Sequence, residues 1–248
     1  MPIRLVFVLV WLLPTSVLAQ DSVAIAAPQP SSRPVTAWSG LRAKPYIVPL
    51  SLVGAGLVTQ GAISRDVQRQ VQVRYPGFEV TFDDYAQFAP TAVVLGLGAA
   101  GVKGRHSFGD QLALTMLSHV VAQGITQSLK RIVAYPRPDG STNDAFPSGH
   151  TTFAFTGAAV LAHEYGERSV WYAVGGYATA TAVGGLRILN NRHWLADVLT
   201  GAGIGIAATE LVYQTYPWMK KVVFRRKNAV LLPVYSPQYA GFYGVVRF

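Results

Sequence analysis

The chain has 248 residues, long enough for one substantial core; half are hydrophobic and only 13% are charged, against about 25% in an average soluble domain. That deficit points to a membrane, or to helices buried on most sides, and the formal net charge of +9 suits anionic lipid headgroups or nucleic acid. The chain has no cysteine, which excludes disulfides, thiolate metal sites and cysteine nucleophiles.

The N-terminal run "MPIRLVFVLVWLLPTSVLAQDS" places one arginine before an apolar stretch and a small-residue "VLA" after it. This is the pattern of a secretory signal peptide over 1–19, with cleavage after Ala19; the helix-breaking Pro14 argues against an uncleaved anchor. Residues 20–45, rich in Ser, Pro and Ala, read as a flexible leader.

Six apolar stretches follow, over 46–63, 90–102, 109–129, 150–163, 168–186 and 194–216. Their length and their Ala, Leu and Gly content favour helices, so the expected fold is all-α, a bundle of about six apolar helices over 46–216. Small residues in "GAGIGIAA" and "VGGYATATAVGG" fit backbone-to-backbone helix packing. A bilayer span needs about 20 apolar residues, and 109–129, 168–186 and 194–216 reach that length. Polar groups inside the helices, including His119, Gln123 and Gln127, leave a soluble bundle as the alternative to a membrane-embedded one. "GLGAAG" at 96–101 matches a dinucleotide fingerprint, but no βαβ alternation surrounds it, and small-residue helix packing explains it better. From 217 the chain carries a basic segment, "KKVVFRRK", and then an aromatic tail able to form a β-hairpin around Ser236-Pro237.

Three polar patches lie at ends of apolar stretches: "KRIVAYPRP" with Lys130 and Arg137, "PSGH" at 147–150, and "RILNNRHWLAD" with Arg187, His193 and Asp197. If consecutive helices run antiparallel, all three fall at one end of the bundle. Lys130, Arg137 and Arg187 supply three cations, two with planar forks suited to phosphate oxygens. The helix start at Ser148 and Gly149 adds backbone N–H donors for an anion. His193 and Asp197 are four apart, so on a helix the carboxylate can hold the imidazole in one tautomer. A histidine so oriented is an activated nucleophile, and His150 would protonate the departing alcohol. The set reads as phosphate-ester hydrolysis through a phosphohistidine. His119 and His163 read as satisfied core residues.

In order and spacing these residues resemble the three signature motifs of the type 2 phosphatidic acid phosphatase family. That family shares a helical-bundle superfamily with class A acid phosphatases and vanadium haloperoxidases. Six residues separate Lys130 from Arg137, five separate Arg187 from His193, and three separate His193 from Asp197. The resemblance implies His193 as nucleophile, Asp197 as its orienting partner and His150 as general acid. It implies phosphate binding by Lys130, Arg137, Ser148, Gly149 and Arg187, with no metal and no cofactor. One departure is that Leu186 stands where the third motif usually has serine. The haloperoxidases hold vanadate in this pocket but are much longer proteins.

The expected partners are a lipid phosphate and the membrane, not nucleic acid. The expected place is the bacterial inner membrane with the site facing the periplasm. Candidate substrates are lipid A phosphates, undecaprenyl pyrophosphate and phosphatidylglycerol phosphate. A soluble periplasmic acid phosphatase and a non-enzymatic binder of anionic lipid are the alternatives. Topology carries a conflict. Arg42, Lys44, Lys103, Arg105, Arg168 and "KKVVFRRK" gather opposite the site, which the positive-inside rule puts in the cytoplasm, whereas a cleaved signal leaves 20–45 outside. Three resolutions stand open: a first stretch that does not span, an uncleaved signal, or a catalytic end that faces inward.

Overall fold

The structure is a computed structural model that describes residues 41–224, 229–236 and 239–246. The expected signal peptide and nearly all of the leader lie outside these residues. Six helices match the six apolar stretches: α1 (Ile47–Thr59), α4 (Ala89–Ala99), α5 (Phe108–Val133), α6 (Gly149–Tyr165), α7 (Val170–Leu189) and α8 (Leu195–Phe224). Two more helices raise the count to eight among the described residues: α2 (Ala62–Arg74) and the five-residue α3 (Phe82–Ala86). Their sequences, "AISRDVQRQVQVR" and "FDDYA", are polar, so hydropathy alone does not reveal them. "GLGAAG" straddles the end of α4, where Gly98 presses on the Phe108 ring and the Gln111 amide.

Helix α6 is the centre of the bundle, packed by α4, α5, α7 and α8. Its buried face is mostly small: Ala154, Ala158 and Ala159, with Thr151, Thr152 and Thr156. The threonine hydroxyls are kept satisfied by backbone carbonyls one turn back, Thr152 to Ser148 and Thr156 to Thr152. Alternate glycines of α8 let it meet two neighbours closely. A Cβ on Gly201 or Gly205 would stand 2.7 Å from the Ser148 or Thr152 carbonyl of α6. A Cβ on Gly203 would stand 2.5 Å from the Pro49 carbonyl of α1. This contact brings the start of α8 against the start of α6, which places the site.

Between α1 and α2 the chain turns by 82°, through Gly61 at φ +88°, a conformation that favours glycine. Helix α8 runs on past Pro217, so it is longer than the apolar stretch that predicts it. Among the described residues, α8 is the one helix both long and apolar enough to cross a membrane, with the bent α1–α2 pair as a second if counted as one span. Stretch 109–129 has the length, but α5 also holds Asp110, His119, Lys130 and Arg131. Large apolar side chains nonetheless face outward on several helices. Val48, Leu50, Leu57 and Val58 do so on α1, Met116 and Val120 on α5, and Trp171 and Val174 on α7.

One end of the bundle collects Arg42, whose N–H donates to Gln214 Oε1, and Lys103, whose carbonyl accepts from the Arg168 guanidinium. The motif patches lie at the opposite helix ends, α5 C-terminal, α6 N-terminal and α7 to α8. In the tail, β1 (Ala229–Ser236) pairs antiparallel with β2 (Tyr239–Val246), Ser236 opposite Tyr239 and Ala229 opposite Val246.

Candidate active site

The first wall is the α5–α6 connection. Helix α5 ends where Ala134 takes a left-handed conformation at φ +45°, leaving Lys130 in the last turn. The loop then folds on itself, with Arg137 N–H donating to Thr142 O and Ala145 N–H to Tyr135 O. Arg137 grips Asp144 with both arms of its fork, at 2.8 and 3.2 Å. Lys130 reaches the Asp144 carbonyl and lies 3.8 Å from its carboxylate. Burial pushes the Asp144 carboxyl up, but hydrogen bonds from Thr142 and Arg137 and the nearby cations prevail and hold it at about 2. Two of the three expected cations are thus fixed by one aspartate.

The second wall is the start of α6. Ser148 is its N-cap, fully buried, and its Oγ accepts from the Thr151 hydroxyl at 2.9 Å. Its own N–H donates to Asp197 O at 3.0 Å, so Ser148 ties α6 to α8. The N–H groups of Gly149 and His150 have no protein acceptor among the described residues, and they are the donors open to an anion. A Cβ on Gly149 would meet only the Lys130 side chain, at 3.8 Å.

The third wall is the turn from α7 to α8. Arg187 O accepts from the N–H groups of Arg192 and His193, and Asn191 takes φ +58° to reverse the chain. His193 is 1% exposed, and its Nδ1 lies 3.3 Å from Asp197 Oδ2, which also accepts from Trp194 N–H at 2.8 Å. Burial, then the charges of Lys130, Arg187 and Arg137, hold the His193 imidazole well below its ordinary range, hence neutral near pH 7. With Nδ1–H donated to Asp197, Nε2 keeps a free lone pair. Across the turn, Arg192 pairs with Asp139 at 3.0 Å and Trp194 Nε1–H donates to Pro136 O. The first and third walls are therefore latched together.

All eight residues singled out from the sequence thus meet at one end of the bundle. Asp197 and Arg187 each keep one buried polar atom without a partner among the described residues, Oδ1 and Nε respectively. Nε of Arg187 is a donor that a phosphate oxygen would satisfy.

Sequence reasoning missed the acids that neutralise this basic pocket. Asp83 and Asp84, adjacent on α3, pack beneath Arg187, with Asp83 Oδ2 2.7 Å from its Nη1. Asn190 Nδ2 donates to Asp83 Oδ1, and His150 Nε2 lies 2.9 Å from Asp84 Oδ1. The available signal was the doublet itself, two of only 12 acids in the chain, set in a short polar stretch. Arg137, Arg187, Arg192, Asn190 and Asp84 border a cavity of about 170 Å³ beside these groups. His119 and His163 lie away from the site. His119 stacks on Phe153 and meets Thr91 Oγ1 at 2.9 Å, and His163 stacks on Tyr213 and pairs with Glu210.

Residues 111–221 match the family model described as PAP2 superfamily. The lipid A 1-phosphatase of Porphyromonas gingivalis is 38% identical over 178 residues, which are 71% of this chain. The chain spans 39% of that relative's length. The crystal structure of the first transmembrane PAP2 type phosphatidylglycerolphosphate phosphatase from Bacillus subtilis aligns at TM-score 0.53 and 18% identity, covering 73% of this chain and 99% of that one. This is a likeness of fold. Aquifex aeolicus LpxE aligns at TM-score 0.49 and 22% identity, over 63% of this chain and 98% of that one.

Proposed function

We propose that the chain is a member of the PAP2 superfamily, a lipid phosphatase that works through a phosphohistidine. The observation that carries this reading is one buried, neutral histidine, His193, paired with Asp197 and ringed by Lys130, Arg137 and Arg187. The three cations and the N–H groups of Gly149 and His150 bind the phosphate oxygens. The His193 Nε2 lone pair attacks phosphorus as the bond to the lipid oxygen breaks, and His150 gives that oxygen its proton. His150 then takes a proton from water, which attacks the phosphohistidine and releases phosphate and neutral His193. Asp197 accepts Nδ1–H and holds the imidazole in one tautomer. Leu186 leaves the phosphate without the serine hydroxyl of the usual motif, which bears on rate and substrate preference.

Lipid A phosphates lead the candidate substrates, on the strength of the 38% identical relative; undecaprenyl pyrophosphate and phosphatidylglycerol phosphate follow. The outward apolar side chains of α1, α5 and α7 support contact with lipid, and so does the length of α8. With Arg42, Lys103 and Arg168 on the cytoplasmic side, the site opens toward the periplasm of the inner membrane. The bundle is the catalytic unit, and α8 carries it past Pro217 to Phe224, so the basic segment begins within the bundle and the aromatic tail follows it.

The test is phosphate release from those three lipids in detergent micelles, with His193→Ala alongside and with a chelator added. Release from at least one lipid, lost in His193→Ala and kept with the chelator, is expected. Release from none of them, or full activity in His193→Ala, overturns the reading. Activity that partitions to the soluble fraction without detergent would favour the soluble acid phosphatase.

A further inference from the structure

Both histidines of the site face an aspartate, but one of those aspartates lies outside the signature motifs. His193 has Asp197 four residues on, whereas His150 has Asp84, 66 residues upstream on α3. The contact is the shorter of the two, 2.9 Å from His150 Nε2 to Asp84 Oδ1 against 3.3 Å for the other pair. The α3 doublet divides its work. Asp83, wholly buried, takes Arg187 and Asn190. Asp84, with its side chain half exposed, takes His150 and stands 3.4 Å from Arg187 Nη1.

We propose that Asp84 is the positioning residue of His150, doing for the general acid what Asp197 does for the nucleophile; this rests on the phosphatase reading above. A carboxylate that accepts Nε2–H fixes the ring and leaves Nδ1 as the nitrogen for proton transfer. In the imidazolium, Nδ1–H passes its proton to the departing lipid oxygen. The neutral ring then keeps Nε2–H on Asp84, and its Nδ1 lone pair takes the proton of the attacking water. The carboxylate also favours the protonated ring that the first step needs. Asp83 on α3 acts in the same sense, against burial, which is the largest influence and holds the His150 imidazole below its ordinary value, and against Arg187 on α7 and His193 in the α7–α8 turn. Lys130 of α5 stands beside the neighbouring Gly149 and adds to the opposition. α3 is thereby part of the catalytic apparatus rather than a connector.

The experiment is the pH profile of kcat and KM on lipid A in detergent micelles, for the full chain, Asp84→Asn, Asp84→Glu and His193→Ala. Asp84→Asn is expected to lower kcat about 10- to 100-fold at pH 8 with KM within about threefold. Its alkaline limb of kcat is expected to move to lower pH, and Asp84→Glu, which keeps the charge at longer reach, to restore most of that limb. A uniform loss at every pH with the limb unmoved overturns the inference, as does a change in KM alone. A rise in kcat overturns it too, by making Asp84 an occupant of the phosphate site. If the unaltered chain releases no more phosphate than His193→Ala from any of the three lipids, the phosphatase reading falls and takes this inference with it. If only the Asp84 profiles fail, that reading stands and the inference alone is lost.

Discussion

Replacing Gly201 by alanine tests whether the close approach of α8 to α6 builds the site. The new Cβ would stand 2.7 Å from the Ser148 carbonyl oxygen and 3.1 Å from Thr152 Oγ1. The nearest atom is backbone, in the first turn of the central helix, so it cannot swing aside; α8 must retreat by roughly half an ångström or more. Overpacking of this kind costs about 1–3 kcal/mol. The retreat also strains the 3.0 Å bond from Ser148 N–H to Asp197 O, which sets where Asp197 and His193 stand relative to the phosphate donors of α6. A misplacement approaching 1 Å costs on the order of 100-fold in rate. Gly175 of α7 is the control, since a Cβ there meets nothing within 4 Å. In that open helix position alanine is expected to be neutral or to stabilise by up to about 1 kcal/mol. Thermal unfolding in detergent, followed by tryptophan fluorescence, reads the stability, and phosphate release from lipid A reads the rate. Gly201→Ala matching Gly175→Ala in both would refute the reasoning.

Three further outcomes follow from the geometry. Lys130→Met removes the cation that, after burial, most disfavours charge on His193, so the imidazole protonates at higher pH. The acid limb of kcat/KM should therefore move up in pH, and a limb that stays or moves down contradicts the electrostatic account. Asp83→Ala leaves the buried Arg187 with only the half-exposed Asp84 at 3.4 Å, which should destabilise by up to about 3–5 kcal/mol in a denaturation series, whereas the half-exposed Asp84→Asn should cost less than about 1 kcal/mol. The absence of native cysteine allows single-cysteine mapping: Asn143→Cys, exposed at the catalytic end, should react with an impermeant maleimide in intact spheroplasts. Lys103→Cys at the opposite end should react only after lysis, and the reverse pattern would invert the proposed orientation.

Much of the site was legible because its chemistry sits in residues that cannot be mistaken for core. Lys130, Arg137, Arg187 and His193 are polar breaks at the ends of apolar helices, and antiparallel connectivity alone brings such ends together. The glycines of "GAGIGIAA" announced close packing, though not which helix each would face. Gly201 and Gly205 meet α6 while Gly203 meets α1, an assignment that depends on the rotation of α8. What hydropathy hides is polar structure. Helices α2 and α3 carry no apolar stretch, so hydropathy gives no mark of Asp83 and Asp84, which α3 lays under Arg187 and His150. Asp144 is hidden for a related reason. In sequence it is one acid in a turn-rich connection, and only the folded loop turns it between Arg137 and Lys130. The Ser148 N–H was expected to serve the anion, but it is committed to Asp197 O, an exchange that depends on a contact between distant helix starts.

The most direct measurement of the central claim is a rapid acid-free quench of the enzyme turning over lipid A labelled with ³²P in its phosphates. The account predicts label on the protein in an acid-labile, alkali-stable bond, carried by the peptide containing His193 and absent from His193→Ala. Turnover with no protein-bound label, or label on a residue other than His193, would contradict it.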